Sequence, residues 1–197
     1  KVLSGLEMAL GRQDEDTGEE ISGTRWAEAL DKALEAATAL SWAVMPEVLE
    51  VHKMAAVKLN VIGADADLAR AVDTRLVEPD PTVDTGLEME LVKVRGKEGV
   101  NAPLVDRAFS LAKLRLGINM GSAHEIKTSY KQAVGPDPAL AQTPFLMAAT
   151  KIMERIAATD VLADALMKRD LALLTGAMKA AHVVLENLER EEALRPP

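Results

Sequence analysis

The chain of 197 residues contains no cysteine. That excludes disulfide staples, thiolate nucleophiles and Cys-ligated zinc. Aromatics are scarce as well: two Trp, two Phe and one Tyr, 3% of the chain. A β-protein would lean on Val, Thr, Tyr and Phe for its core. Here Leu, Ala, Val and Met must fill it, and Ala-rich contacts with high helix propensity favour helices packed closely on helices. No uninterrupted apolar run reaches the roughly 18–20 residues of a membrane span, so no membrane role is expected. No signal-peptide pattern is visible, and a start at Lys1 rather than Met fits a leader or tag already removed. Together with the missing cysteine, this gives an expected location in the cytoplasm or inside a virion.

Hydrophobic residues make up 48% of the chain, enough to rule out disorder throughout, and the length suits one globular domain with or without an arm. The net charge of −8 repels nucleic acid and anionic membranes on average. The charge is unevenly distributed. Residues 13–90 hold 18 acidic against 6 basic side chains, whereas 91–131 hold 8 basic against 3 acidic. Such segregation serves either as solvated faces or as complementary patches between subunits.

The longest periodic stretch is 159–192, free of proline and with one interior glycine, Gly176. Leu162, Leu166, Leu173, Ala177, Val184 and Leu188 share one helical face by spacings of four and seven. Val161, Ala165, Ala172, Ala180 and Val183 mark a second. Two apolar faces predict a central helix covered from more than one side, with the first face as a candidate oligomer interface.

Upstream, 1–12 reads as a short amphipathic helix, 13–23 as an acidic loop, and Thr24 as the cap of a helix striped by Trp26, Leu30, Leu34, Ala37, Leu40 and Val44. Trp26 and Trp42 read as packing anchors rather than ligand platforms. Pro46 restarts a helix that should stop at Gly63, and Asp65 should cap a shorter one ending before Pro79. Residues 79–102 are ambiguous. Leu87-Glu-Met-Glu-Leu91 alternates like a strand, although Thr85 and Glu88 have capping-box spacing, so a small hairpin or irregular insertion is expected. Pro103 opens the next helix, Gly117-Ile-Asn-Met-Gly121 reads as a turn, and Ser122 and Glu125 form a capping box. Thr143 and Pro144 start a further helix and Thr159 caps the last. The expected architecture is mainly α. Six or seven helices surround a long C-terminal one, with 1–23 as an arm and 24–197 as a helical domain carrying the 79–102 insertion.

Catalytic and cofactor patterns are missing. The acidic loop fails as a calcium site, because counting from Asp14 the sixth residue is Glu19 and the twelfth Arg25 where glycine and glutamate are needed. No Glu-x-x-His supports a di-iron site. His124 stands beside Ser122, but no G-x-S-x-G elbow surrounds them and capping accounts for the serine; His52 and His182 fall mid-helix. No metal, cofactor or catalytic residue is therefore expected, and the enzyme reading is the less favoured one. Lys93, Arg95, Lys97, Arg115, Ser122, Lys127 and Lys131 are the candidate contacts for an anion or a nucleic acid. Gly117 to Ser122 gives the loose form of a phosphate turn without either glycine-motif spacing.

The leading expectation is a non-enzymatic structural or assembly protein that self-associates through helical surfaces, as a virion, connector, scaffold or adaptor component does. Its partners would be copies of itself or other protein subunits. A helical enzyme or ligand-binding domain with an anion site near Gly117 and Ser122 is the alternative, and a DNA-binding regulator using the helix after Ser122 the next; nucleic acid is not the favoured partner.

Overall fold

The computed structural model describes residues 2–14, 17, 19–39, 46–169 and 171–193, with the backbone alone at 46–48 and 188–193. The protein is all-α: the described residues form eight α-helices and one 3-10 helix, and no strand. The helices are α1 (Val2–Leu10), α2 (Thr24–Thr38), α3 (Pro46–Val77), α4 (Leu87–Val94), α5 (Ala102–Met120), α6 (Ala123–Val134), α7 (Pro144–Lys168) and α8 (Leu171–Ala193), with the 3-10 helix at Pro138–Gln142.

The chain divides into two compact units, one of Lys1–Arg70 with Met89–Val105, the other of Ala71–Glu88 with Asp106–Pro197. In the first, α1 packs on α2. Leu6, Ala9, Trp26, Leu30, Ala37 and Ala55 form the buried core there. Trp26 is an anchor, as its position in the stripe suggests. Its indole N–H donates to the Ala9 carbonyl at 2.7 Å, and the Arg12 guanidinium lies 4.2 Å from the ring centroid. Trp42, Leu40 and Val44 lie outside the described residues.

α3 corrects one expectation. Gly63 does not end it; the helix runs 32 residues, through Gly63 and Asp65. A mid-helix glycine costs only about 1 kcal/mol relative to alanine, which buried neighbours such as Val61 and Leu68 offset. Asp65 instead receives the backbone N–H of Asn101 at 3.1 Å. Asn101 in turn accepts from the Leu104 N–H, capping α5.

The second correction is at 79–102. No hairpin forms; the alternating segment is α4, because Leu87 and Val94 are both buried and seven apart, on one helical face. Five residues of alternation fit helix and strand equally, and burial decided between them. The capping-box pair does not form either: Thr85 Oγ1 is buried without a partner and Glu88 reaches Arg115. α5 likewise runs through Gly117 to Met120, and the turn proper is Gly121, at φ 65°. Gly117 sits where α6 approaches closely: a Cβ there would lie 3.1 Å from the Ile126 nitrogen, so α6 would have to shift by a few tenths of an ångström. Thr24 begins α2 with Gly23 at the cap position, and no side-chain cap bond is made.

The third correction concerns the C-terminal rod. Residues 159–192 are two helices. α7 ends at Lys168, Arg169 takes the left-handed conformation at φ 51°, ψ 31°, and α8 starts at Leu171 and packs back along α7. Thr159 lies inside α7, where its hydroxyl donates to the Arg155 carbonyl. The break escapes a sequence reading because a charged residue, not glycine, makes the αL turn.

Candidate functional site

Three features of the second unit stand out: a buried polar cluster, a groove between α6 and α7, and the outer surface of the α7–α8 hairpin.

The cluster is built on Arg75, which is fully buried near the end of α3. Its guanidinium donates to the carbonyls of Val83 at 2.6 Å, Asp80 at 2.8 Å and Glu78 at 3.4 Å, and lies 4.2 Å from the centroid of Phe145. One side chain thereby satisfies three backbone acceptors and fixes the turn between α3 and α4. Burial pushes its pKa below the usual arginine value, while the Glu78 carboxylate works in the opposite direction. Nearby, Arg115 donates to Glu88 at 2.7 Å and stands 3.6 Å from Asp84. Nothing in the sequence separates Arg75 from a solvated arginine, because the carbonyls it serves exist only once the turn has folded.

The groove, about 550 Å³, is lined on α6 by Ala123, Lys127, Tyr130 and Lys131 and on α7 by Thr150, Met153, Glu154, Ile156, Ala157 and Asp160. Thr150 and Tyr130 hydroxyls meet at 3.2 Å along it. α6 is held in place by the cap that the sequence predicts, Ser122 Oγ accepting from the Glu125 N–H at 3.4 Å. The reciprocal half of the box is replaced: the Ser122 N–H donates to the Gly117 carbonyl.

The candidate basic residues therefore fall into two groups. Lys93, Arg95 and Lys97 belong to the first unit, at the end of α4 and just beyond it. Lys93 donates to Glu90 at 2.7 Å, a hydrogen bond that raises its pKa, and Lys97 donates to Asn60 at 2.7 Å. Arg115, Ser122, Lys127 and Lys131 belong to the second. Arg115 is engaged by Glu88 and Ser122 by its cap, while Lys127 and Lys131, one turn apart, flank the groove. Among the described residues, no three His, Asp or Glu side chains come together where they could hold a metal ion. Nor is any helix there long and apolar enough to cross a membrane.

The hairpin surface gathers the candidate interface residues. Ala177 is buried; Leu162 and Val184 are half-buried; Leu166 and Leu173 are exposed. Leu188 lies where only the backbone is described. The covered line on α8 is Leu174, Ala177, Ala181 and Val184, at spacings of three and four, and on α7 it is Ala158, Leu162 and Ala165. This is the seam along which α7 and α8 pack, with small residues at four of its seven positions. The residues beside it are not covered. Leu166 is 61% exposed, Met167 84%, Leu171 79%, Met178 60% and Leu185 53%. Neither predicted face is covered as a whole: Leu166 and Leu173 of the first are exposed, whereas Ala165 of the second is buried. The part missed in the sequence is the stripe Leu171, Met178 and Leu185, at intervals of seven, which becomes legible only after the break at 169 sets the register.

No family model, curated protein or solved structure matches this chain.

Proposed function

We propose that this is a non-enzymatic assembly protein that associates with copies of itself through the α7–α8 hairpin. The observation that carries the reading is the run of large apolar side chains left exposed beside a completed seam on both helices. Exposed apolar patches of this kind mark interaction surfaces, because leaving them in water forgoes about 25 cal/mol per Å². The segregated charge supports it more weakly, since several basic side chains are engaged within the chain.

Solution mass by light scattering, at low and high salt, tests it. The expected result is a discrete oligomer whose mass does not change with salt, as apolar contacts require. An oligomer that loosens with salt would move the contact to the charged segments. A monodisperse monomer at high concentration under both conditions would overturn the proposal.

A ligand-binding role is the second reading, supported by the α6–α7 groove, whose volume is in the range of small-molecule sites. A rise in melting temperature with an added metabolite, together with its loss in Met153→Trp, would favour it.

A further inference from the structure

We infer that the α7–α8 hairpin is one half of a four-helix bundle, completed by the hairpin of a second copy docked on the flank of Leu166, Leu171, Met178 and Leu185. The inference rests on the self-association reading and specifies its geometry. In a heptad description the seam residues of α8 hold the first and fourth positions: Leu174 and Ala177, then Ala181 and Val184. Leu171, Met178 and Leu185 hold the fifth, one residue beyond each fourth position, and Leu166 holds the fifth on α7, directly after Ala165. A two-stranded coiled coil needs only the first and fourth positions apolar and commonly carries charge at the fifth. Apolar residues at first, fourth and fifth make the wider stripe of a helix facing two neighbours, as in a bundle.

The two flanks of the hairpin differ. In an antiparallel pair the fifth positions of both helices fall on one side, and the positions preceding the seam fall on the other. The second side holds Val161 and Lys168 from α7 and Leu173, Ala180 and Asn187 from α8, a mixed surface. The first side holds Thr159 and Leu166 from α7 and Leu171, Met178 and Leu185 from α8; its four large apolar residues are all more than half exposed.

A second copy fits that side on three grounds. A bundle lacking two antiparallel helices is completed by another two-helix hairpin, and a two-fold axis supplies one with an identical stripe. Charge does not oppose the pairing: residues 157–187 carry Asp160, Asp164, Asp170 and Glu186 against Lys168, Arg169 and Lys179, close to neutral in a chain of net charge −8. A partner selected by charge would instead face a rim of one sign. Finally, four large side chains from each copy, with Met167 at their edge, bring the buried area to on the order of 1,000 Å², the lower bound for a specific interface.

The test uses the full chain and two single variants, Met178→Glu on the proposed flank and Leu173→Glu on the other, with circular dichroism to verify that both remain helical. Light scattering should give twice the 21.1 kDa chain mass for the parent and for Leu173→Glu, and the chain mass for Met178→Glu. A parent that is itself monomeric overturns the self-association reading and this inference together. A parent oligomer that Met178→Glu leaves intact, or that Leu173→Glu also dissociates, overturns the flank assignment while self-association stands. An oligomer larger than a dimer overturns the four-helix geometry alone.

Discussion

Within one unit, the region around Arg75 and the outer face of the α7–α8 hairpin invert the usual distribution of side chains in opposite directions. Near the end of α3 a charged residue is fully buried; on the hairpin, leucines and methionines face solvent. The buried charge is explained inside the chain, because three carbonyls of the α3–α4 turn need its donors. The exposed apolar residues have no such internal account. A folded chain tolerates a buried arginine when its hydrogen bonds are local and numerous. It gains nothing from a heptad-spaced apolar stripe in water. The comparison teaches that the first anomaly serves this fold, whereas the second is what the proposed self-association would account for.

The largest expected effect comes from breaking the internal side. Arg75→Ala would take the guanidinium donors from three carbonyls of the α3–α4 turn and remove the contact with Phe145, costing about 3 kcal/mol of unfolding free energy, measurable from urea midpoints at constant m-value. A loss below about 1 kcal/mol would show that water replaces the guanidinium and would remove the contrast. Next comes Glu88→Gln, which turns the 2.7 Å ion pair with the largely buried Arg115 into a bond to a neutral acceptor. About 1–2 kcal/mol should be lost, and restoring the pair's charge balance with Arg115→Gln should recover part of it in a double-mutant cycle. On the hairpin, the paired substitution Leu171→Gln with Met178→Gln should change the stability of the monomer by less than about 0.5 kcal/mol, read by denaturation at high dilution. The same pair should abolish the concentration dependence of the melting temperature that an oligomer shows. A large loss in the dilute monomer would mean that the flank is folded against the chain itself, and the two regions would no longer differ in kind.

How much of this was legible in the sequence varies with the kind of signal. The all-α class followed from the scarcity of aromatics and the helical spacing of Leu and Ala. The starts of α5, α6 and α7 followed from Pro103, Ser122 and Pro144, residues whose local chemistry favours a helix N-terminus regardless of what packs on them. Where tertiary contacts decided, local signals failed. Gly63 reads as a stop yet sits inside α3, since helix packing outweighs one glycine. The Leu87 segment alternates, but the burial of Leu87 and Val94 selected the helix. The basic segment 91–131 is continuous in sequence but divided between the two units. Of the candidate interface residues, Leu166 and Leu173 are exposed on the hairpin, whereas Ala177 is buried in the internal seam.

The left-handed backbone at Arg169 carries one more consequence. A non-glycine residue there costs roughly 1–2 kcal/mol relative to continuing the right-handed helix. Arg169→Gly should accordingly stabilise the hairpin by up to about 1 kcal/mol, and the burial of Ala165 and Ala177 must already exceed that cost. The uninterrupted periodicity of 159–192 is the other side of the same balance. Were residue 169 to relax, α7 and α8 would join into a single rod and each seam would be left for another molecule's helix to fill.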